Sequence, residues 1–264
     1  MKIDRVVISS NDNPDYLEFV KIVGPAWKKL LGIKPTLMYI SNKKQEEWAW
    51  MEEYVDVLQV PDIDVIPSSN HAQASRMLVA TKFGQDVCML SDLDMLPLSG
   101  KYFVDAVKSI PDDMIAFLGG NAYHEQYMAP ICYMVAKGDT FAEILNPDEK
   151  GYDDLVESLI PYKGSKASCR ITYPSTDASN RFCDESLFCD FLKRWPFKDS
   201  RTVTVHREWD RSTNIAVGRV DRANWDQGLK QVGQGNLIDA HMVRPLSKNI
   251  PLIKPLTDSI GVEL

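Results

Sequence analysis

Apolar residues in the first half of the chain recur with two alternating periods. Val6-Val7-Ile8 is a short apolar run that breaks into the polar cluster Ser9-Ser10-Asn11-Asp12-Asn13-Pro14, the pattern of a strand followed by a loop. From there Tyr16, Phe19, Val20, Val23 and Trp27 recur at three- and four-residue steps. That spacing predicts a helix capped by Asn13 or Asp15 and running to about Leu31. Pro25 falls inside the pattern and is expected to kink or divide the helix, because it has no N–H and its ring crowds the preceding turn. Gly32 ends the helix, and Thr36-Leu37-Met38-Tyr39-Ile40 reads as a second strand. Lys43 to Tyr54 reads as a charged helix, Val55 to Val60 as a strand, and about His71 to Phe83 as a helix closed by Gly84. Asp86-Val87-Cys88-Met89-Leu90 then reads as a buried strand. Strands alternating with helices predict an α/β fold with a mostly parallel central sheet covered by helices on both faces.

The second half is mixed. Met114 to Leu118, Ile131 to Ala136 and Val203 to Val205 read as strands, with helices opening at Thr140 and at about Asp184. Residues 146 to 182 have weak periodicity and read as an irregular insertion. A polar stretch rich in Arg, Asp and Trp leads to Asn236-Leu237-Ile238-Asp239-Ala240-His241, and the tail from Pro245, which holds Pro251 and Pro255, is expected to run extended over the surface.

Composition narrows the possible partners. At 264 residues, with 44% hydrophobic and 25% charged residues, the chain can bury a core without disulfides or a structural metal. A net charge of −7 excludes nucleic acid as the expected partner, since neutralising phosphates needs a basic footprint. An anionic small molecule would have to be held by a few local cations, a metal or backbone amides. The five cysteines (Cys88, Cys132, Cys169, Cys183, Cys189) form no C-x-x-C pair and read as reduced thiols. The first residues lack the apolar core of a signal peptide, and no apolar run approaches the ~20 residues that cross a bilayer. A soluble, cytoplasmic protein without a membrane span is expected.

The chemistry concentrates at Asp92-Leu93-Asp94. In a parallel sheet, ligands sit beyond the carboxyl ends of the strands. A buried strand ending on two aspartates therefore delivers two hard oxygen ligands to that edge. Alternate residues of an extended chain point the same way, and two carboxylates on one side repel unless a cation lies near them. All-oxygen ligation suits Mg²⁺ or Mn²⁺. The plainer reading is a solvated turn. Against it, Met95-Leu96-Pro97-Leu98 follows directly, so the acidic pair is wedged between two apolar segments.

The stretch from Ala74-Ser75-Arg76-Met77 through Cys88-Met89-Leu90-Ser91-Asp92-Leu93-Asp94-Met95-Leu96-Pro97-Leu98 resembles the core of the GT-A, D-x-D-motif glycosyltransferases. The resemblance spans roughly residues 4 to 245 and is strongest over 72 to 98. The chain also resembles, in general terms, the compact soluble glycosyltransferase domains encoded by large algal DNA viruses. The family implies a single Rossmann-like GT-A domain over residues 1–264. Within it, about 1–98 would bind nucleotide, about 99–245 would face the acceptor, and 246–264 would be a tail. It implies transfer of a sugar from a nucleoside diphosphate sugar, a UDP-sugar by family frequency, to a glycan or other hydroxyl acceptor. Inversion is favoured over retention.

By the same resemblance Ser9, Ser10, Asn11 and Asp12 would hold the base and ribose. Asp94 would ligate Mn²⁺ or Mg²⁺, and Asp92 would contact the ribose or the metal. His241 would be a further metal ligand, for which a neutral imidazole is suited. Arg76 would support the phosphates or the sugar, and Arg244 the diphosphate, since a guanidinium can engage two phosphate oxygens at once. Asp184 or Glu185 would take the proton from the acceptor hydroxyl, with helix N-terminal chemistry as the competing explanation for both. Asn121, Tyr123, His124 and Glu125 would border the donor sugar and the acceptor. Trp48, Trp50, Trp209 or Trp225 could stack on sugar rings. His71 is left out of the metal site. Of the rival readings, sugar-phosphate nucleotidylyltransfer usually has a Gly-rich basic loop after the first strand, and Ser9 to Pro14 contains neither Gly nor a basic residue. A non-catalytic nucleotide- or carbohydrate-binding module remains the alternative outside enzymes.

Overall fold

The computed structural model of the chain describes residues 1–63, 67–119, 129–157, 183–210, 212 and 215–264. In chain order its first half is β1 (Arg5–Asn11), α1 (Pro14–Leu17), α2 (Val20–Leu31), β2 (Thr36–Ile40), α3 (Gln45–Trp48), β3 (Asp56–Val60), α4 (Ser68–Ala80), β4 (Val87–Leu90) and β5 (Met95–Pro97). There follow α5 (Gly100–Val107), β6 (Ile115–Leu118), β7 (Met134–Lys137), α6 (Gly138–Leu145), α7 (Tyr152–Glu157), α8 (Cys183–Arg194), α9 (Lys198–Arg201) and β8 (Thr202–Val205). The last part holds β9 (Trp209–Asp210), β10 (Ile215–Ala216), β11 (Arg219–Asp221), α10 (Trp225–Leu229), β12 (Asp239–His241) and α11 (Leu246–Ser259).

Seven strands form one sheet in the order β3-β2-β1-β4-β7-β6-β8. Every pairing is parallel except the two made by β7. This is the expected α/β architecture with a mostly parallel sheet flanked by helices. Side chains alternate across it. Val6, Ile8, Leu37, Tyr39 and Met89 pack on one face with Val23 and Trp27 of α2 and Phe103 of α5. Val7, Met38, Ile40, Cys88 and Leu90 pack on the other with Met77 of α4, Phe141 of α6 and Phe188 of α8. Burial on both faces is why these strands read as unbroken apolar runs.

The first helix departs from the sequence reading. Asn13 caps α1, its side chain accepting from the Asp15 N–H, with Pro14 in the first turn. The helix then divides at Glu18 and Phe19, and Pro25 lies inside an unbroken α2 that ends on Gly32 at φ 72°. Residues Val20, Ile22, Val23, Ala26 and Trp27 are fully buried around Pro25, so core packing holds the helix across the missing N–H. The tail is corrected for the same reason. Instead of running extended, residues 246–259 form α11 despite Pro251 and Pro255. Leu246, Ile253, Leu256 and Thr257, spaced by helical turns, bury one side of it. Of the segment read as irregular, Tyr152–Glu157 is helical and residues 158–182 lie outside the described ones.

A second sheet has the order β11-β12-β5, with β12 parallel to β11 and antiparallel to β5. Asp239 at the start of β12 is completely buried and pins this sheet. It accepts from Arg207 Nη1 and Nη2 at 2.8 and 3.1 Å, and from Arg219 Nε and Nη2, both at 2.9 Å. No described helix is long and apolar enough to cross a membrane.

Candidate active site

The strand order reverses direction at β1, which has β2 and β3 on one side and β4 on the other. A crevice opens beyond the carboxyl ends at such a switch point. The β1–β4 pairing continues through the Ser91 N–H to Val7 O at 2.9 Å, so the chain leaves β4 at Asp92 beside the end of β1. Ser9, Ser10 and Asn11 form that end. Asp94 leads directly into β5, and the β5–β12 register sets His241 opposite Met95. The Met242 N–H closes the arrangement on Asp94 O at 2.9 Å. α4 brings Arg76, the first turn of α8 brings Asp184 and Glu185, and Arg244 follows β12. Ser9, Ser10, Asn11, Arg76, Asp92, Asp94, Asp184, Glu185, His241 and Arg244 line one cleft of ≈ 450 Å³, together with Tyr16, Gln73 and Arg222. Asp12 does not. Its carboxylate accepts from Tyr39 Oη and from Ser41 Oγ (2.8 Å) and lies 3.5 Å from Lys43, which fixes the loop behind the cleft.

Two clusters of charge occupy the cleft. In the first, the buried Arg76 guanidinium bonds Asp92 Oδ1 through Nη1 and Asp184 Oδ2 through Nη2 at 2.6 Å. Burial disfavours its charge, but the two carboxylates more than offset that and push its pKa up. Arg76 is thus committed to holding the strand end and the α8 turn together, and its charge is largely spent before any phosphate arrives.

In the second cluster, Asp94 Oδ2 lies 3.0 Å from Arg222 Nη1, 3.3 Å from His241 Nε2 and 3.9 Å from Arg244 Nε. Burial pushes the Asp94 carboxyl up, but the His241 bond and charge, with Arg222 and Arg244, prevail and hold it below its ordinary range. On the far side of the ring, Nδ1 is 3.3 Å from Asp221 Oδ2. Burial lowers His241, yet its bonds to Asp221 and Asp94 outweigh that and raise it to about 9. The imidazole therefore carries a proton at neutral pH, and a metal cation would compete with that proton for Nε2. Arg244 also lies 4.5 Å over the Tyr16 ring and donates to the Tyr16 hydroxyl.

The donor chemistry here fits a small divalent cation. Asp94 Oδ2 and His241 Nε2 are 3.3 Å apart, close to the ~3 Å between neighbouring ligands when metal–ligand bonds are about 2.1 Å. Asp221 on the other nitrogen is the usual partner of a ligating imidazole, fixing which nitrogen faces the metal. Asp92 is turned to Arg76 instead, and among the described residues no three His, Cys, Asp or Glu side chains gather into a metal-holding group. Two protein ligands suffice when substrate phosphates and water complete the shell.

Asp221, Arg222 and Tyr16 were not singled out from the sequence. The signal for the first two was the Arg- and Asp-rich stretch before His241, which becomes specific only when β11 pairs with β12 and sets Asp221 beside His241. Trp48 and Trp225 are buried in the core. Trp50 is exposed beneath Lys21, and Trp209 lines a separate pocket. His71 is buried against Tyr152, away from the acidic pair. Cys88 and Cys132 are free thiols. Asn121, Tyr123, His124, Glu125, Cys169 and the Cys183 side chain lie outside the described residues.

No family model and no curated protein matches the chain. Among solved structures it is similar to the glycosyltransferase GlyE of Streptococcus pneumoniae, at 10% identity and a TM-score of 0.44 over 98% of this chain and 65% of that one. It is also similar to TarS of S. aureus, at 11% identity and 0.41 over 79% of this chain and 36% of that one. A cytidylyltransferase from Leptospira borgpetersenii gives 10% identity and 0.44 over 100% and 98%. The chain thus spans about two thirds and one third of the two glycosyltransferase chains. Both transfer classes occur among these likenesses, so the functional reading rests on the cleft.

Proposed function

We propose that the chain transfers a sugar from a nucleoside diphosphate sugar, a UDP-sugar in the first instance, to the hydroxyl of a glycan or similar acceptor. What supports this reading is one observation: Asp94, His241, Arg222 and Arg244 converge at the switch point of the sheet, beside the polar end of β1. In a chain of net charge −7, this is a local concentration of cations where a diphosphate would lie.

Ser9, Ser10 and Asn11 offer hydroxyl and amide groups to the nucleoside. The Asp92 side chain keeps 37% exposure after bonding Arg76, which leaves lone pairs for a ribose hydroxyl or a bound water. Arg222 and Arg244 can turn from Asp94 to phosphate oxygens, and the Tyr16 ring holds Arg244 in place meanwhile. Asp94 and His241 would hold Mn²⁺ or Mg²⁺, which supplies charge neutralisation on the departing diphosphate. The Asp184 carboxylate is buried and gives Oδ2 to Arg76 Nη2 at 2.6 Å, so that oxygen is taken up in tying α8 to α4. We therefore assign the proton-accepting role of an inverting transfer to Glu185, with Asp184 as the positioning residue that ties α8 to Arg76.

The test is release of nucleoside diphosphate from a panel of nucleotide sugars, with and without Mn²⁺, by slow hydrolysis. Metal-stimulated release from one donor is expected and would name the sugar. Pyrophosphate formation from a nucleoside triphosphate and a sugar phosphate would replace the reading by nucleotidylyl transfer. Neither reaction, with no donor binding, would leave a non-catalytic binding module.

A further inference from the structure

A second pocket of ≈ 440 Å³ opens between the β9–β10 hairpin, β11 and α10. Its volume lies within the range of about 300–1,000 Å³ typical of small-ligand sites. Asn224, Gln227 and Gln231 line it at steps of three and four residues, so three carboxamides fall on one side of the α10 segment. Gly228 lets that segment lie tight on β11: a Cβ there would meet Val220 Cγ1 at 2.8 Å. Opposite stand Glu208 and the half-buried Trp209.

The lining chemistry selects among ligand classes. Among the described residues Arg219 is the only cation on the wall, and its guanidinium is committed to Asp239. A phosphate or other anion would thus find no uncommitted charge among the described residues of the wall. The side chains of Glu208, Asn224, Gln227 and Gln231 make no hydrogen bond to other described residues. Each carboxamide can donate and accept at once, which matches the paired donor and acceptor character of neighbouring sugar hydroxyls. The Trp209 indole supplies an amphipathic ring that can cover the apolar C–H face of a sugar. The pocket also shares a wall with the cleft described above. Asp221 borders it and holds His241, which borders the cleft.

We propose that this second pocket is a binding site for an uncharged saccharide, the acceptor glycan, held by Trp209, Glu208, Asn224, Gln227 and Gln231. Naming the ligand as acceptor rests on the transferase reading, whereas binding of a neutral saccharide follows from the pocket alone. The shared wall would set the acceptor chain beside the Asp221–His241 pair that borders the cleft.

The experiment is a titration of the ¹⁵N-labelled full chain with neutral malto-, cello-, xylo- and chito-oligosaccharides, and in parallel with sugar phosphates and UDP. A neutral oligosaccharide is expected to shift the Trp209 indole and the side-chain amide signals of Asn224, Gln227 and Gln231. Trp209→Ala and Gln227→Ala should each weaken that binding roughly tenfold, while Trp209→Phe, which keeps a ring, should lose less. The proposal is overturned if no neutral saccharide moves these signals, if only the anionic ligands do, or if both alanine variants bind as the wild type does. UDP reports separately on Ser10, Asn11 and Arg244. Loss of UDP binding alone removes the donor reading and leaves the saccharide site standing, and the reverse result does the opposite.

Discussion

Asp239 and Asp94 are both buried and both faced by two arginines, but only Asp239 has its hydrogen bonding completed. Both of its oxygens are occupied by four donors from Arg207 and Arg219 within 3.1 Å, and its side chain has no exposed surface. Asp94 uses only Oδ2 for its three partners, at 3.0 to 3.9 Å. The Arg222 and Arg244 side chains remain 28% and 31% exposed on the cleft. A charge cluster with every lone pair and proton used is a clamp. A cluster of similar composition with donors unspent and an opening to solvent can exchange partners, and that is what a diphosphate would require of it.

The widest separation between the two should come from removing each carboxylate's charge. Asp239→Asn leaves two arginines facing a neutral amide in a buried setting, and the expected loss is about 3–5 kcal/mol of stability, read by denaturant unfolding. Acid should act through the same group. Burial pushes the Asp239 carboxyl up, but Arg207 and Arg219 outweigh it and hold its pKa well below the ordinary range. A depressed folded pKa contributes stability that is present above the unfolded value, near 3.9, and is lost as pH falls through the folded one. The wild type should therefore lose stability below about pH 4, and the part owed to this group should be missing in Asp239→Asn.

Asp94→Asn should behave in the opposite way. Its arginines can be solvated from the cleft, so the change in unfolding free energy should be clearly smaller than for Asp239→Asn. Donor turnover should instead fall by about 10²–10³-fold. Equal destabilisation of both variants, or full activity in Asp94→Asn, would erase the distinction drawn between clamp and site.

What could be read from the sequence divides along similar lines. The strand ends at Ser9 to Asn11 and Asp92 to Asp94 were legible because a buried parallel strand announces itself locally, and its carboxyl end is where ligands go. Asp184, Glu185, His241 and Arg244 were named from the family resemblance, and the structure brings them into the same cleft. Asp221 and Arg222 were not legible, because their significance depends on the β11–β12 register and on the pairing of β12 with β5, a strand more than a hundred residues earlier. Arg76 was named, but its commitment to two carboxylates could not be seen without knowing how α8 packs on α4. α11 was missed because two prolines outweigh the apolar spacing of Leu246, Ile253 and Leu256 until the core surface they cover is known.

The finest test of the comparison concerns Asp221, which touches the open cluster without belonging to either arginine pair. Its Oδ2 faces His241 Nδ1 at 3.3 Å, and burial, which raises its pKa, is outweighed by the His241 and Ala223 hydrogen bonds. If its function is to aim Nε2 at the cleft, the charge and the shape of the side chain should be separable. Asp221→Asn keeps a carbonyl oxygen for Nδ1–H and should raise the Mn²⁺ concentration for half-maximal donor hydrolysis by about tenfold. Asp221→Ala removes both charge and acceptor and should raise it toward a hundredfold. Both variants should unfold close to the wild type, because Asp221 is not part of the Asp239 clamp. A loss of stability matching Asp239→Asn would instead make Asp221 part of the clamp. Unchanged Mn²⁺ dependence in both variants would mean that His241 is oriented by Asp94 and its strand alone.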